Sequence, residues 1–210
     1  AEPGREPARL RRGRFAFSAC VRVSSPTLRI IGRIDEIEEA TWNALGDARA
    51  TPFMSWAFLE ALEHAGCVGD PVGWRPQHLT LWRQDRLVAA APAYIKIDSS
   101  GDFARDDGFA DFAQRAGLRF YPKLVLAVPF TPAIGRRILT HASEPRAPLV
   151  AAIVAGARAL AHELALSGVQ VLFTDPDEAK EIEAAGLSVR VLLQFHWQNR
   201  SYPDLGAWLA

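Results

Sequence analysis

The segment from Arg119 to Arg137 combines features that could bind an anionic ligand. A run of apolar residues typical of a buried strand ends in Pro129-Phe130-Thr131-Pro132, and Gly135, Arg136 and Arg137 follow. A turn at the end of a strand can present free backbone N–H groups, and the two arginines add positive charge. A proline-rich structural turn without a ligand has the same composition, so the sequence alone leaves both interpretations open.

Three further side chains could bind an amine or accept a proton from it. His196 lies near the end of a predicted strand, where a neutral imidazole could deprotonate an amine. A half-buried histidine that is hydrogen-bonded to the backbone is the alternative. Asp102 and Asp106 could bind an ammonium group or act as a base, or they could belong to a solvated acidic loop. The spacing of the acidic residues in this loop does not match an EF-hand, and we expect no metal site.

Lys123 is the one charged residue within the apolar strand that precedes the turn. It could reach a phosphate or a carboxylate, or it could protect the edge of a sheet. The tryptophans of the first half of the chain are predicted to pack in the core or at its rim: Trp42, Trp56, Trp74 and Trp82.

The elements that must position these residues follow from the hydrophobic periodicity and the turn signals. They are a strand at Thr27–Ile31, helices at Asp35–Leu45 and Trp56–Ala65, a hairpin of His78–Trp82 and Leu87–Ile97, a helix at 108–116, a strand at Tyr121–Val128, a helix at Pro148–Ser167, a strand at Val169–Thr174, a helix from Asp175 to Gly186 and a last strand at Leu187–Trp197. The hairpin is antiparallel, whereas the alternation of strands and helices in the second half predicts parallel pairing. The fold class is therefore predicted to be α/β, with a mixed, mostly antiparallel sheet, a parallel second half and flanking helices.

Two helix starts carry specific capping signals. Ser55 is the predicted N-cap of the second helix, and Met54 and Leu59 stand at the two positions of a hydrophobic staple. Asp175 to Glu178 has the pattern of a capping box with proline at the first helical position.

Composition limits the classes of protein to consider. The chain has 210 residues, of which 49% are hydrophobic, so it can bury a full core. Its 24 basic and 24 acidic residues argue against a protein that coats nucleic acid. Cys20 and Cys67 lie far apart, which predicts a reducing, cytoplasmic location, and no apolar run is long enough to span a membrane. We expect residues 1–26 to be a disordered basic tail, residues 27–200 to form one domain, and residues 201–210 to begin a helix.

Four separate segments resemble the FemAB-like (peptidoglycan biosynthesis/recognition) family, which is related to the GNAT acyltransferases. Thr51–Leu59 is similar to the family pattern NPF-S-AFL, and Gly73–Leu79 is similar to GW-P-HL. Phe120–Pro132 resembles YYPKL…AVPFTP nearly residue for residue, and Gln194–Asn199 resembles QFHWRN. The predicted order of elements is also similar to that of the GNAT fold.

The chain departs from the family pattern in one place, after the third strand, where the family reads K-H-SYGEYVFDWAWA. Four positions keep family residues or an acid: Ser99, Gly101, Asp102 and Asp106. A histidine, a tyrosine and a tryptophan are replaced by Asp98, Ser100 and Asp107. We expect Asp98 and Asp107 to be solvated. If the missing aromatic residues line a substrate, this protein binds that substrate differently or more weakly.

The resemblance implies an acyl- or aminoacyltransferase that acts on an amine of a peptide-like, cell-wall-related acceptor. Its acyl donor would be aminoacyl-tRNA or acyl-CoA, and its ligand an anionic peptide-like or nucleotide-linked small molecule. The implied catalytic residues are His196 and Asp106, and the backbone N–H near Val128 would stabilise the oxyanion. The implied binding residues are Asp102, Lys123, Val128, Pro129, Phe130, Thr131, Gly135, Arg136, Arg137, Trp197 and Asn199.

Two alternatives are a non-catalytic recognition module for the same precursor and an acetyl-CoA-dependent N-acetyltransferase. The acetyltransferase should have a glycine-rich pyrophosphate loop, for which Gly135 among prolines is a poor substitute. Fem aminoacyltransferases carry two GNAT-like domains in tandem. The resemblance therefore implies that this chain covers the first and that residues 201–210 begin the second, through which tRNA could bind. Leu205, Trp208 and Leu209 would then expose an apolar helix face.

Overall fold

Two four-stranded sheets and flanking helices form the part of the chain that the computed structural model describes, residues 25–46, 49–104, 106–196 and 198–209. No helix within these ranges is long and apolar enough to cross a membrane. The strands are β1 Thr27–Ile31, β2 Trp74–Pro76, β3 His78–Arg83, β4 Arg86–Ala91, β5 Ala93–Lys96, β6 Lys123–Leu126, β7 Leu139–Thr140 and β8 Val169–Val171. The α-helices are α1 Glu39–Asn43, α2 Trp56–His64, α3 Asp107–Arg115, α4 Arg146–Glu163, α5 Pro176–Ala184 and α6 Leu205–Leu209.

The first sheet has the order β1-β3-β4-β7 and is antiparallel, whereas the second has the order β2-β5-β6-β8 and contains one parallel pair, β6 with β8. This arrangement confirms the predicted class, a mixed α/β fold with mostly antiparallel pairing and a parallel second half. The strands are divided between two sheets rather than joined in one.

The division between the sheets follows a break that crosses the central hairpin. The strand predicted at Leu87–Ile97 is interrupted at Pro92, which has no N–H to donate, and it becomes β4 and β5. Opposite this point Gln77 separates β2 from β3, and its N–H donates to the Ala93 carbonyl at 2.8 Å. The Ala93 N–H donates to Nδ1 of the buried His78 at 3.2 Å. A side chain thus replaces part of the ladder where the sheets separate.

Helix α4 crosses one face of both sheets and carries the main core. Its buried side chains include Ile153, Val154 and Ala157, and they pack with Leu79 of the first sheet and Leu124 of the second. On its other face the first sheet is covered by a second apolar cluster that includes Trp42 of α1 and Leu59 of α2. Trp42 and Trp74 are fully buried, and Trp56 and Trp82 are half-buried, as the core-or-rim prediction requires.

The local capping predictions are largely confirmed. Ser55 Oγ accepts a hydrogen bond from Phe58 N at 3.4 Å, and Asp175 caps α5 by accepting from Asp177 N and Glu178 N. A capping box would also have the Glu178 carboxylate accept a hydrogen bond from Asp175 N. This part of the prediction is wrong, because the carboxylate instead accepts from the backbone N–H groups of Arg137 and Ile138.

Besides β2, which was not predicted, and the break at Pro92, four elements differ from the sequence prediction. The helix at Asp35–Leu45 is a 3-10 turn, Ile34–Glu36, followed by the short α1. Helix α4 ends at Glu163 rather than Ser167, because Ala165 adopts a left-handed conformation (φ 52°) and Leu166 N bonds back to Ala161 O at 2.8 Å. The pairing of β7 with β4 was not predicted.

The fourth difference concerns the last predicted strand, Leu187–Trp197. Residues 187–196, which we call the strap, contain no helix or strand, and Trp197 lies outside the described residues. Side chains rather than a backbone ladder hold the strap: Arg190 donates to Ala104 O at 2.6 Å, and Gln194 donates to Pro132 O at 2.8 Å. Beyond it, Leu205, Trp208 and Leu209 of α6 are exposed, as predicted.

Candidate functional site

A row of polar side chains lies on the face of the second sheet that is turned away from α4. Trp74, Lys96 and Lys123 are direct neighbours across β2, β5 and β6. In the adjacent row, Val125 of β6 lies opposite Gln170 of β8. Because side chains alternate between the two faces of a strand, all four polar or aromatic groups project to the same side. We use the name polar cluster for these four residues and three others: Trp74, Lys96, Lys123, Gln170, Asp102, Asp106 and Tyr121.

The centre of the cluster is an ion pair between Lys123 and Asp106. Both residues are buried, and Lys123 Nζ donates to Asp106 Oδ2. The other partners of the Asp106 carboxylate are Arg190 Nη2 at 2.8 Å and Gln170 Nε2 at 3.1 Å. Burial alone would raise the pKa of Asp106, but these hydrogen bonds, above all that from Lys123, lower it below its usual value. Asp106 is therefore held as a carboxylate.

Lys123 is enclosed by aromatic rings as well as by the carboxylate. Its ammonium lies 4.5 Å from the ring centroid of Phe120 and 4.6 Å from that of Tyr121. Since β6 lies between β5 and β8, Lys123 does not protect a sheet edge. Lys123 instead pairs with a carboxylate of the protein itself, and its role toward a ligand stays a prediction.

Lys96 is fully buried, and the carboxylate that pairs with it belongs to the exposed Asp98. Its Nζ donates to Ser100 O at 2.6 Å, lies 4.2 Å above the Trp74 ring centroid and is 3.6 Å from Oδ1 of the exposed Asp98. Trp74 Nε1 donates to the same Ser100 carbonyl at 3.0 Å. Burial lowers the pKa of Lys96. The carbonyl of Ser100 thus connects the loop of residues 98–106, which we call the acidic loop, to Lys96 and Trp74 of the sheet.

Asp102 also belongs to the buried side of this loop and is only 3% exposed. Its Oδ1 accepts from Ala104 N at 3.0 Å, while its Oδ2 has no hydrogen-bond partner among the described residues. Burial raises the pKa of Asp102. In contrast, Asp98 and Asp107 are exposed, as expected for the two acids that stand where the family has other residue types.

The predicted ligand-binding turn, residues 129–137, contacts the acidic loop. Phe130 has a left-handed backbone (φ 56°), and its ring lies 5.6 Å from the Trp74 ring, centroid to centroid. It also packs so closely on Gly101 that a Cβ there would overlap the ring. At the other end of the turn, Gly135 N donates to Phe173 O at 3.0 Å. The turn and the polar cluster are therefore neighbours.

The two arginines of the turn make contacts within the protein. The buried Arg137 guanidinium donates to the carbonyls of Ala133 and Gly135, and burial lowers its pKa to about 10. Arg136 is 8% exposed and lies 3.7 Å from Asp175 Oδ2. These contacts stabilise the turn from inside.

Val128 lies where β6 leads into the turn and is 4% exposed. No described residue accepts a hydrogen bond from its backbone N–H. A buried N–H group without an acceptor is uncommon in folded proteins. Whether this N–H faces an oxyanion, as the resemblance implies, stays a prediction.

The chain matches a known protein family over most of its length. Residues 33–210 match the FemAB-like family, which is described as peptidoglycan biosynthesis/recognition. The chain belongs to the FemAB-like family. Neither the curated proteins nor the solved structures include a significant match to it. The family segment contains the polar cluster, the turn and the strap.

The remaining predicted residues of this FemAB-like chain are His196, Asn199 and Thr131. His196 and Asn199 are exposed, and Asn199 Oδ1 accepts from Tyr202 N at 3.1 Å. Within the described residues, His196 forms no hydrogen bond or ion pair with a member of the cluster. It does follow Gln194, which binds the turn through Pro132 O. Thr131 Oγ1 donates to Pro129 O at 2.9 Å within the turn.

A separate depression of about 240 Å³ lies between α1 and β7. It is lined by residues that include Gly46, Thr51 and Leu139. Thr51 also faces Gly135 of the turn. Across the described ranges, no group of three or more His, Cys, Asp or Glu side chains is placed to hold a metal ion.

Sequence reasoning missed Lys96 and Gln170 as members of the cluster, and it missed Arg190, which contacts the cluster from the strap. One signal was present: Lys96 and Gln170 are polar residues in otherwise apolar strands, and each faces away from the α4 core. The strand register, which places Lys96 beside Lys123, depends on long-range pairing. Nothing in the sequence indicated that Arg190 would reach Asp106, because the strap was predicted to be a strand.

Proposed function

We propose that this FemAB-like chain carries out acyl or aminoacyl transfer to an amine of a peptide-like, cell-wall-related acceptor. Membership of the family supports the class of acceptor. The structural observation that carries the proposal is the buried, unpaired N–H of Val128 at the start of the turn. Acyl transfer needs such a fixed donor, because negative charge develops on the carbonyl oxygen in the transition state.

In the proposed reaction the acceptor amine attacks the acyl carbonyl carbon of the donor, an aminoacyl-tRNA ester or an acyl-CoA thioester. The new C–N bond forms as the C–O or C–S bond breaks, and the leaving group takes up a proton. The amine must lose a proton, and we assign this step to the exposed imidazole of His196. The turn, residues 129–137, would bind the anionic part of the donor or acceptor.

Asp106 is a weaker choice for the base. Its carboxylate already accepts hydrogen bonds from Lys123, Arg190 and Gln170, and its pKa lies below the usual value. A carboxylate with a lowered pKa has little tendency to accept a proton at neutral pH. Its contacts instead support a role in holding the acidic loop and the strap together.

A transfer assay tests the proposal directly. Purified protein is incubated with radiolabelled aminoacyl-tRNA or acyl-CoA and with nucleotide-linked cell-wall precursor peptides that carry a free amine. We expect donor-dependent product with the wild type and at least about a hundredfold slower transfer with His196→Ala, since a general base typically contributes that much. His64→Ala is the matched control, because His64 is an exposed histidine on α2 whose side chain is 82% exposed.

Equal rates for His196→Ala and His64→Ala would remove His196 from the mechanism. An absence of transfer with every donor, together with tight binding of the precursor peptide, would favour a recognition module. One observation already favours that alternative: the two charges at the centre of the cluster, Lys123 and Asp106, neutralise each other. Tight calorimetric binding of acetyl-CoA would instead indicate an acetyltransferase.

A further inference from the structure

Several buried polar atoms of the cluster lack hydrogen-bond partners among the described residues. Asp102 Oδ2 and Gln170 Oε1 are acceptors without a donor, and the Tyr121 hydroxyl is also unpaired. Burial raises the pKa of Tyr121, so this hydroxyl keeps its proton and can donate. Each unpaired buried polar group costs about 1–3 kcal/mol. Their concentration around one ion pair points to a ligand that supplies the missing partners.

The chemistry of these atoms limits the ligand to one that is both donor and acceptor. Asp102 Oδ2 and Gln170 Oε1 need N–H or O–H groups, and an ammonium provides three donors on one atom. Lys96 and the Tyr121 hydroxyl can donate to an oxygen, and Lys96 now donates to a neutral backbone carbonyl. An ammonium alone would meet two nearby lysines, Lys96 and Lys123, whereas a zwitterion adds no net charge.

We propose that the polar cluster is a binding site for the α-amino acid group, an ammonium next to a carboxylate. The ammonium binds Asp102 Oδ2 and Gln170 Oε1, and the carboxylate binds on the side of Lys96 and the Tyr121 hydroxyl. The inference deepens the proposed function and rests on it for its biological role, because both substrates of aminoacyl transfer contain amino acid groups. Binding itself can be measured without turnover.

The cover of the site has the features of a loop that can be displaced. The Ser100 carbonyl, which fastens the acidic loop to Lys96 and Trp74, is a group that a ligand carboxylate can replace as the acceptor. Gly101 next to it has φ 74°, a left-handed conformation that glycine adopts without strain. The ring of Phe130, itself 42% exposed, packs over Gly101 from the side of the turn. Movement of these few residues would admit a small ligand.

The test is calorimetric titration of the wild-type protein with four probes: L-alanine, D-alanine, alaninamide and propionate. Alaninamide keeps the ammonium but lacks the carboxylate, and propionate has the reverse composition. We expect one or both alanine enantiomers to bind saturably, and both single-charge probes to bind about tenfold more weakly or worse, since each loses a charge-assisted hydrogen bond. Equal binding of propionate and alanine, or no saturable binding of any probe, would overturn the proposal.

Variants then locate the site. Asp102→Asn and Lys96→Met should each weaken alanine binding about 10- to 100-fold, because each removes a hydrogen bond to a charged group. Asp111→Asn is the matched control, since Asp111 is an exposed acid on the neighbouring helix α3, and it should bind as the wild type does. Thermal unfolding checks that Asp102→Asn is folded. Unchanged alanine binding in both Asp102→Asn and Lys96→Met would place the ligand elsewhere.

The two proposals can fail separately. Alanine binding that depends on Asp102, in a protein without any transfer activity, would refute the transfer function and leave the amino acid site standing. Transfer activity that survives unchanged in Asp102→Asn, in a protein that does not bind alanine, would refute only the amino acid site.

Discussion

Replacing Glu178 with alanine should strongly destabilise the protein. The Glu178 carboxylate on α5 is fully buried and accepts hydrogen bonds from Arg137 N at 2.7 Å, Ile138 N at 3.0 Å and Arg146 Nη2 at 2.7 Å. It therefore joins α5 to the end of the turn and to the start of α4. Burial raises the pKa of Glu178, which reduces but does not cancel the contribution of the carboxylate.

The size of the effect follows from the groups that the substitution leaves unpaired. Two buried backbone N–H groups lose their acceptor, at about 1–3 kcal/mol each. Arg146 also loses its hydrogen bond to Glu178, but it keeps those to Glu181 at 2.8 Å and to Ile138 O at 2.7 Å. The loss of the Arg146 contact therefore adds little to the cost. We expect Glu178→Ala to lower the free energy of unfolding by about 2–6 kcal/mol, the combined cost of the two unpaired N–H groups. For a domain of this size that corresponds to a fall in Tm of roughly 10 °C.

Chemical and thermal denaturation followed by circular dichroism measure this difference. Glu181→Ala is the control, because Glu181 lies on the same helix and contacts the same guanidinium, but its side chain is 27% exposed and bonds to no buried backbone N–H. It should cost at most about 1 kcal/mol. If the two variants were equally destabilised, the difference could not come from the unpaired N–H groups, and the reasoning would be refuted.

Three further outcomes are expected. Gly101→Ala should lower the free energy of unfolding by about 1–3 kcal/mol, because Gly101 has φ 74° and a Cβ there would overlap the ring of Phe130. Gly108→Ala is the control: a Cβ at Gly108 meets open space, so this variant should be neutral or more stable in thermal unfolding. Lys123→Met should lower the free energy of unfolding by about 1–3 kcal/mol in urea denaturation, because it removes one of three hydrogen-bond partners of the buried Asp106 carboxylate, which keeps Arg190 and Gln170. Burial raises the pKa of Asp102, so its ionised form is unfavourable in the folded state; Asp102→Asn should raise Tm at neutral pH, and the difference should disappear as acidification protonates the wild-type carboxyl. A Tm difference that is independent of pH would contradict this last expectation.

Local signals in the sequence predicted much of the fold. Strand β1, the Ser55 cap of α2 and the Asp175 cap of α5 depend on residues that are close in the chain. The parallel pair β6–β8 was also predictable, because a helix separates the two strands in sequence. These features need no knowledge of distant partners.

Features that depend on distant partners were not predicted. Strand β7 has only two residues and exists because β4 offers it a backbone ladder. The strap has a strand-like sequence but is held by Arg190 and Gln194 side chains. The same limit applies to the site. Asp102 and Asp106 were recognised as candidates by residue type, yet their burial and the position of Lys96 beside Lys123 depend on how two strands and a loop pack.

The two faces of the second sheet can accept substitutions independently of each other. The core that α4 covers takes its residues from the strands and from α4 and α5, and no residue described between 98 and 106 belongs to it. Substitutions in the acidic loop can therefore alter the groups that face a ligand while leaving the main core intact. Such a separation lets ligand preference diverge among related proteins that keep one scaffold, and the loop is also where this chain departs from its family pattern.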